Sequence, residues 1–162
     1  AINDTVSNII NAQLLFMSSV DAKRPIKLYI NSPGGGVYAG LGIYDTMNYI
    51  PNEVHTVCLG MAASMAAVLL SSGSKGNRIV LPHSRVMIHQ PLGGAEGQAS
   101  DMEITMREMA RIKGELYDIL AKNTGKTMKQ ITADADRDYW MKGEEAVKYG
   151  MVDKLITKNI KK

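Results

Sequence analysis

Apolar residues recur along the chain in two alternating patterns, one typical of strands and one typical of helices. Short runs rich in apolar and β-branched residues predict strands at 26–30, 54–59, 78–81, 86–89 and 151–156. Apolar positions three and four apart predict helices at 4–20, 37–50, 62–72, 101–123 and 144–149, with a short helix opening at Thr127. This alternation predicts an α/β fold of layered strands and helices, in which the strands pair mainly in parallel.

The longest predicted helix has an unusual apolar seam. Methionine and aliphatic residues recur at close to helical spacing: Met102, Met106, Met109, Ile112, Leu116 and Ile119. At ~1.5 Å per residue the helix reaches roughly 35 Å, which is long for a small domain. The pattern fits a helix that projects toward a partner chain, and it fits equally a core helix that packs on its own sheet.

Composition excludes several classes of protein. The chain has 162 residues, 45% hydrophobic and 22% charged, which suits one folded domain rather than a disordered chain. A net charge of +3 without a basic, aromatic-rich stripe argues against nucleic acid. A single cysteine, Cys58, excludes an internal disulfide. The His and Cys residues do not cluster at the spacing of metal ligands, so the sequence does not predict a metal site. The uncharged run 57–70 is shorter than the roughly 20 residues that cross a bilayer.

Ser64 stands where a predicted strand passes into a helix among small residues, GMAASMAA. Free backbone N–H groups at such a corner can stabilise an oxyanion beside the hydroxyl. The alternative is a small residue in a packed helix or a simple cap. The G-x-S-x-G motif of the α/β-hydrolases is absent, because Ala62 and Ala66 replace its glycines.

His89 ends a predicted buried strand and is a candidate general base, although a buried histidine with a structural role fits the same position. An acid that orients this base should be buried, and Asp134, Asp136 and Asp138 compete for the role. Asp138 has the most apolar neighbours, Tyr139 and Trp140. The same acidic segment resembles a calcium loop, but Tyr139 occupies the position that requires glycine.

The segment NSPGGG places three glycines, residues 34–36, directly after a strand. It does not match a P-loop or a G-x-G-x-x-G motif. Its N–H groups can still approach an oxyanion or an extended peptide.

Five segments together closely resemble the proteolytic subunits of the Clp protease family, and the resemblance covers nearly the whole chain. They are YINSPGG (29–35), IYDTM (43–47), GMAASMA (60–66), MIHQPLGGAEGQA (87–99) and DRDYWMKGEEAVKYGMVD (136–153). The resemblance implies a serine endopeptidase with the layered fold of repeated β-β-α units shared by Clp proteases and crotonases. It also implies a single domain over 1–162, with a protruding handle at about 92–124.

The resemblance also assigns site residues. Ser64 matches the family's nucleophile, His89 its general base and Asp138 its orienting acid. The backbone N–H groups of Gly35 and Met65 match the oxyanion hole. The edge strand that receives the substrate peptide matches Gly93, Gly94, Ala95, Glu96, Gly97 and Gln98.

Assembly and partners are implied in the same way. In the family, two seven-membered rings stack into a closed chamber, joined through the handle helices. An AAA+ unfoldase supplies unfolded polypeptide and docks in an apolar cleft that matches Tyr29, Leu59, Ile79 and Leu81. No cofactor, metal, nucleic acid or membrane is expected, and the location is expected to be bacterial cytoplasm or an organelle matrix or stroma.

Three departures from the family pattern stand out. The family's N-terminal axial loop precedes the residue that Ala1 matches, so it is expected to lie outside residues 1–162. Lys27 replaces a commonly aromatic residue of the cleft, which predicts a weaker contact there, and Lys142 replaces a Ser or Thr that often caps the last helix. A catalytically silent barrel-forming homologue and a crotonase-fold acyl-CoA enzyme remain the alternative functions.

Overall fold

A computed structural model describes residues 1–158. Its helices are α1 (Asp4–Val20), α2 (Val37–Tyr49), α3 (Met65–Ser71), α4 (Ala99–Thr124), α5 (Met128–Asp134) and α6 (Gly143–Tyr149). Its strands are β1 (Ile26–Ser32), β2 (Val54–Ala63), β3 (Arg78–Val80), β4 (Arg85–Ile88), β5 (Tyr139–Lys142) and β6 (Lys154–Leu155). No helix within this range is long and apolar enough to cross a membrane. The last four residues, 159–162, of the predicted single domain lie outside the described range.

The strands form one mixed sheet in the order β5-β4-β2-β3-β6, with β1 also paired to β2. All pairs are parallel except β4 with β5. The long strand β2 changes partner along its length: Thr56 to Cys58 pair with β3, whereas Met61 to Ala63 pair with β4. Gly60 lies between these two stretches with a φ of +70°, a backbone conformation that favours glycine. The change of partner brings the carboxyl end of β2 beside that of β4.

The core lies between the sheet and the helices. Every residue of α3 is buried, because this helix packs against strands and against α2 and α4. Ile43 and Met47 present one face of α2 to the same core. Ser64, the N-cap of α3, therefore directly precedes the most buried helix of the described chain.

The two interpretations of the apolar seam, a projecting helix and a core helix, each apply to one half of α4. None of residues 99–111 is buried, and Ile104 and Met106 are more than half exposed. From Ile112 onward, Leu116, Tyr117 and Leu120 pack in the core. The C-terminal half is thus a core helix, and the N-terminal half extends beyond the core, as expected for a handle.

An internal ion pair joins the start of β3 to the loop before β6, and its arginine also contacts α4. The Arg78 guanidinium contacts both carboxylate oxygens of Asp153, at 2.6 and 3.0 Å, and donates to the carbonyls of Ser71 and Asn123. Burial by itself raises the pKa of Asp153, but hydrogen bonds and the charge of Arg78, with the Gly76 N–H, outweigh burial and lower the pKa overall. The ionised carboxylate is therefore favoured in the fold.

Several predicted boundaries were wrong. Strand β2 continues to Ala63, so the predicted helix at 62–72 begins only at Met65, because Ala62 and Ala63 pair with β4. Strand β5 was not predicted, since its four residues gain regularity only from pairing with distant β4. The predicted strand at 151–156 shrinks to Lys154–Leu155.

The start of the last helix, α6, is capped through the backbone of Lys142. The Lys142 N–H donates to Glu145 Oε2 at 2.6 Å. The carboxylate of the first turn thus supplies a hydrogen bond at the helix start without a hydroxyl side chain at the cap.

Candidate active site

Ser64 occupies a sharp turn between β2 and α3. Its φ of +55° and ψ of −126° make it the only residue other than glycine with a positive φ among residues 1–158. Such strain persists where the surrounding structure enforces it, and it is typical of functional positions. The turn has the strand-to-helix geometry of a nucleophile elbow although the sequence lacks the G-x-S-x-G motif.

The loop of glycines 34–36 lies directly against this turn. A Cβ added to Gly34, whose φ is +92°, would lie 2.7 Å from Ser64 Cβ and 3.0 Å from the Met65 nitrogen. The absence of a side chain at Gly34 therefore allows the loop to approach both residues.

The N–H group of Gly35 points away from Ile2, with which Gly35 forms an isolated bridge. Ile2 donates to Gly34 O and accepts from the Gly36 N–H, both at 2.8 Å, in a parallel bridge centred on Gly35. Hydrogen bonds alternate sides along an extended chain, so the Gly35 N–H faces the opposite side. Met65 is the first residue of α3, so its N–H has no partner within the helix. Among residues 1–158, neither of the two predicted oxyanion donors makes a backbone hydrogen bond to Ile2 or within α3.

His89 and Asp138 form a hydrogen bond between Nδ1 and Oδ1 at 3.0 Å. The pairing of β4 with β5 explains the contact, because Ile88 lies opposite Tyr139 in an antiparallel register. The next opposed position beyond that pair is His89 with Asp138. The antiparallel direction brings the start of β5 to the same sheet edge as the end of β4.

Ser64 and His89 come from the ends of two adjacent parallel strands. The Ser64 N–H donates to Met87 O at 2.9 Å, which fixes the serine beside the strand that leads to His89. Both residues line a small cavity of about 20 Å³ next to Leu116 and Leu120. Within residues 1–158, Ser64 Oγ makes no hydrogen bond to the His89 imidazole. The three predicted catalytic residues therefore lie at one edge of β2, β4 and β5, with only the His–Asp contact formed.

The orienting carboxylate was expected to be buried, and this expectation was wrong for the single chain. The side chain of Asp138 is 60% exposed, whereas that of His89 is 16% exposed. Strand β5 pairs on one side only, and its residues Tyr139 and Trp140 are themselves exposed, so they do not cover the carboxylate.

The competing acidic residues are placed elsewhere. Asp134 accepts from the Tyr149 hydroxyl at 2.7 Å and from Gln130, and Asp136 approaches Arg137 only at 4.0 Å. In the described part of the chain, no three His, Cys, Asp or Glu side chains cluster as metal ligands.

The sequence of this chain is similar to that of one known protein family. The family model described as Clp protease matches residues 1–159. The chain is 59% identical over 160 residues to the ATP-dependent Clp protease proteolytic subunit of Porphyromonas gingivalis, covering 99% of this chain and 72% of that protein. Proteins of the same name from Bacteroides fragilis and Bacteroides thetaiotaomicron are 59% and 58% identical over 157 residues, or 97% of this chain and 76% and 71% of theirs.

The chain belongs to the Clp protease family. The α/β fold with a projecting handle helix agrees with this membership. The match extends over the serine, histidine and aspartate segments alike, and it favours a Clp protease over the crotonase-fold alternative.

The segment matched to the substrate strand of Clp proteases is not a strand here. Residues Gly93 to Gln98 have no regular secondary structure and pair with no strand of the described chain. A strand needs a hydrogen-bonding neighbour, and this segment leaves the sheet at His89 to reach α4. Its start borders a cavity of about 550 Å³, lined by Tyr38, Leu92, Ile104 and Met109 among others.

The residues matched to the docking cleft of Clp proteases come together. Tyr29, Leu59, Ile79 and Leu81 line one cavity of about 360 Å³ on the face of β1, β2 and β3. Lys27 lies at this cavity, as its position in the cleft predicts.

Val57 and Ile156 are apolar residues that also line this cleft, and the sequence did not predict them there. Val57 lies two residues before Leu59 on the same face of β2, so period-two alternation could have identified it. No local signal marks Ile156, which reaches the cleft through the pairing of β6 with β3.

Proposed function

We propose that this chain is a serine endopeptidase subunit of an ATP-dependent Clp protease that hydrolyses unfolded polypeptides to short peptides. The observation that carries the proposal is the convergence of Ser64, His89 and Asp138 at one edge of three adjacent strands. The name of the relatives, ATP-dependent Clp protease proteolytic subunit, supports the same reaction and an ATPase partner.

In the proposed mechanism Ser64 Oγ attacks the scissile carbonyl while His89 Nε2 removes the hydroxyl proton. The imidazolium then gives this proton to the leaving amine, and water repeats the sequence to release the acyl group. Asp138 accepts the His89 Nδ1–H, which holds the tautomer that leaves Nε2 free to act as the base. The Ser64–His89 hydrogen bond is expected to form with substrate, since such contacts often tighten only in the reacting complex.

The backbone N–H groups of Gly35 and Met65 are proposed to bind the oxyanion of the tetrahedral intermediate. The closeness of Gly34 to the Met65 nitrogen supports this, because it places the loop beside the start of α3. Losing one such donor typically costs about 100- to 1000-fold in rate.

The substrate is proposed to lie extended along residues 93–98. These residues are exposed or half-buried, and their backbone is not engaged in the chain's own sheet, so a peptide can add as a strand. The neighbouring cavity beside Leu92 and Met109 is largely apolar, which suits aliphatic and aromatic side chains of the peptide.

We further propose that the chain acts as a homo-oligomer of two stacked seven-membered rings, with residues 92–124 as the inter-ring handle. The exposed apolar residues Ile104 and Met106 on the uncovered half of α4 support this assembly. The cleft of Tyr29, Leu59, Ile79 and Leu81 is the proposed dock of an AAA+ unfoldase, and the bacterial relatives support a cytoplasmic location.

Peptide cleavage and native mass spectrometry of the wild-type protein and Ser64→Ala test the proposal together. We expect a fourteen-subunit assembly for both proteins, cleavage of a small fluorogenic peptide by the wild type only, and fluorophosphonate labelling confined to Ser64. An assembly of the right mass that never cleaves peptide or protein, even with the unfoldase, would make this chain a silent barrel-forming homologue.

A further inference from the structure

The side chain of Gln90 connects the strand that bears His89 to the turn that bears Asp138. Its Nε2 donates to the backbone carbonyl of Asp136 at 2.9 Å, and its Oε1 accepts from Lys113 Nζ at 3.1 Å. A flipped amide would place its oxygen against the carbonyl and its NH₂ against the ammonium, so both ends fix the orientation. Gln90 thus forms a second bridge beside the His89–Asp138 hydrogen bond.

The other end of this bridge is one face of α4. Lys113 and Tyr117 lie four residues apart, with the ammonium 5.5 Å from the ring centroid. The Tyr117 hydroxyl makes a long hydrogen bond of 3.4 Å to the carbonyl of Ala135. Two side chains of α4 therefore hold the turn of residues 135–138, one directly and one through Gln90.

The carboxylate of Asp138 depends on this turn for its position. Its side chain is 60% exposed, and within residues 1–158 its only hydrogen-bond partner is His89. Core packing therefore does not fix the carboxylate, whereas the backbone that precedes it is anchored by Gln90 and Tyr117.

We propose that Gln90 and Lys113 are positioning residues that hold the turn of residues 135–138 so that the Asp138 carboxylate stays against His89 Nδ1. The inference rests on the proposed catalytic role of Asp138. Neither side chain lines the 550 Å³ cavity proposed for substrate side chains. Their loss should therefore reduce turnover and leave substrate binding unchanged.

Steady-state peptide cleavage by the assembled protein tests this with Gln90→Met and Lys113→Met, each checked for intact assembly by native mass. We expect kcat to fall by about tenfold in each variant, well short of the roughly 10⁴-fold cost of losing the acid, with KM within twofold. Lys113→Arg should restore kcat because a guanidinium still donates to Gln90 Oε1. Lys122→Met, which removes an exposed lysine from the same helix, should change neither constant.

The decisive measurement repeats Gln90→Met in an Asp138→Asn background. The tenfold loss should disappear there, because a misplaced acid matters only when the acid is present. A loss that persists in this background, or an unchanged kcat in both single variants, overturns the positioning role alone. Full activity of Asp138→Asn overturns the proposed triad and, with it, this inference.

Discussion

The α-carbon of Gly34 lies so close to Ser64 that a side chain at residue 34 would meet Ser64 Cβ at 2.7 Å and the carbonyl of Ala63 at 2.6 Å. Two positive-φ conformations are thus packed together, one that glycine adopts readily at Gly34 (φ +92°) and one that is strained at Ser64 (φ +55°). The two residues are therefore coupled, because a side chain at residue 34 has no room unless the Ser64 turn moves.

Gly34→Ala should therefore displace the turn that carries the proposed nucleophile. We expect a loss of about 1–3 kcal/mol in the free energy of unfolding, from the added strain and overpacking, together with slower fluorophosphonate labelling of Ser64. Urea unfolding and labelling kinetics measure the two effects.

Gly114→Ala is the matched control for Gly34→Ala. A Cβ at Gly114 meets open space within α4, so alanine should raise stability by about 0.5–1 kcal/mol through helix propensity and leave labelling unchanged. Equal behaviour of the two variants would show that Gly34 does not constrain the turn.

The Arg78–Asp153 pair predicts that the free energy of unfolding falls at acidic pH. The folded state lowers the pKa of Asp153 below its ordinary value of 3.8, so the pair stabilises the fold at pH values above that number. This stabilisation is lost as the pH falls from 3.8 through the lower pKa of the folded state. Asp153→Asn should cost about 3–5 kcal/mol at pH 7, because it leaves the Arg78 charge largely buried.

Unfolding free energies measured from pH 7 down to pH 2, at one protein concentration, test this dependence. The difference between wild type and Asp153→Asn should shrink at the acid end of the series. Asp118→Asn breaks an exposed pair with Lys122 and should cost less than about 1 kcal/mol at pH 7. A constant wild-type advantage over Asp153→Asn at every pH would contradict the ionised pair.

Tyr29→Ser should separate unfoldase-dependent degradation from peptide cleavage. Tyr29 is 58% exposed at the proposed docking cleft, and aromatic anchors commonly dominate such contacts. We expect protein degradation driven by the unfoldase to fall by about tenfold, since a lost hot-spot residue weakens docking by roughly that factor or more. Cleavage of a small peptide should stay within twofold. Tyr49→Ser, at a tyrosine 81% exposed at the end of α2, should leave both rates unchanged.

A double substitution on the uncovered half of α4, Ile104→Lys with Met106→Lys, tests the proposed inter-ring handle. Two charges buried in an apolar interface should separate the rings, so native mass spectrometry should show half the wild-type mass. The charge-matched control, Thr132→Lys with Ala133→Lys, lies on exposed positions of α5 and should keep the full mass. Intact double rings in the α4 variant would place the contact elsewhere.

Local sequence signals predicted the elements better than their junctions. Thr127 was predicted to open a short helix, and its hydroxyl does accept from the Gln130 N–H at the start of α5. At Ala62 and Ala63 the small residues favoured a helix, but pairing with β4 extends the strand. Tertiary pairing thus overrides local preference where β2 meets α3.

The candidate site was predicted as residue types and matched motifs, but its geometry was not. The contact of His89 with Asp138 depends on the register of β5 on β4, which joins positions 49 residues apart. Nothing local in either segment encodes that register. The bridge through Gln90 has the same origin, since Lys113 and Asp136 approach it from separate elements.

The position of β5 late in the chain determines when the candidate site is completed during synthesis. Ser64 and His89 leave the ribosome before Asp138, and the sheet edge that these residues share is complete only when β5 has paired with β4. A nascent or incompletely folded subunit therefore carries an unfinished site. We therefore expect peptide cleavage by the proposed triad to appear only once β5 has paired with β4.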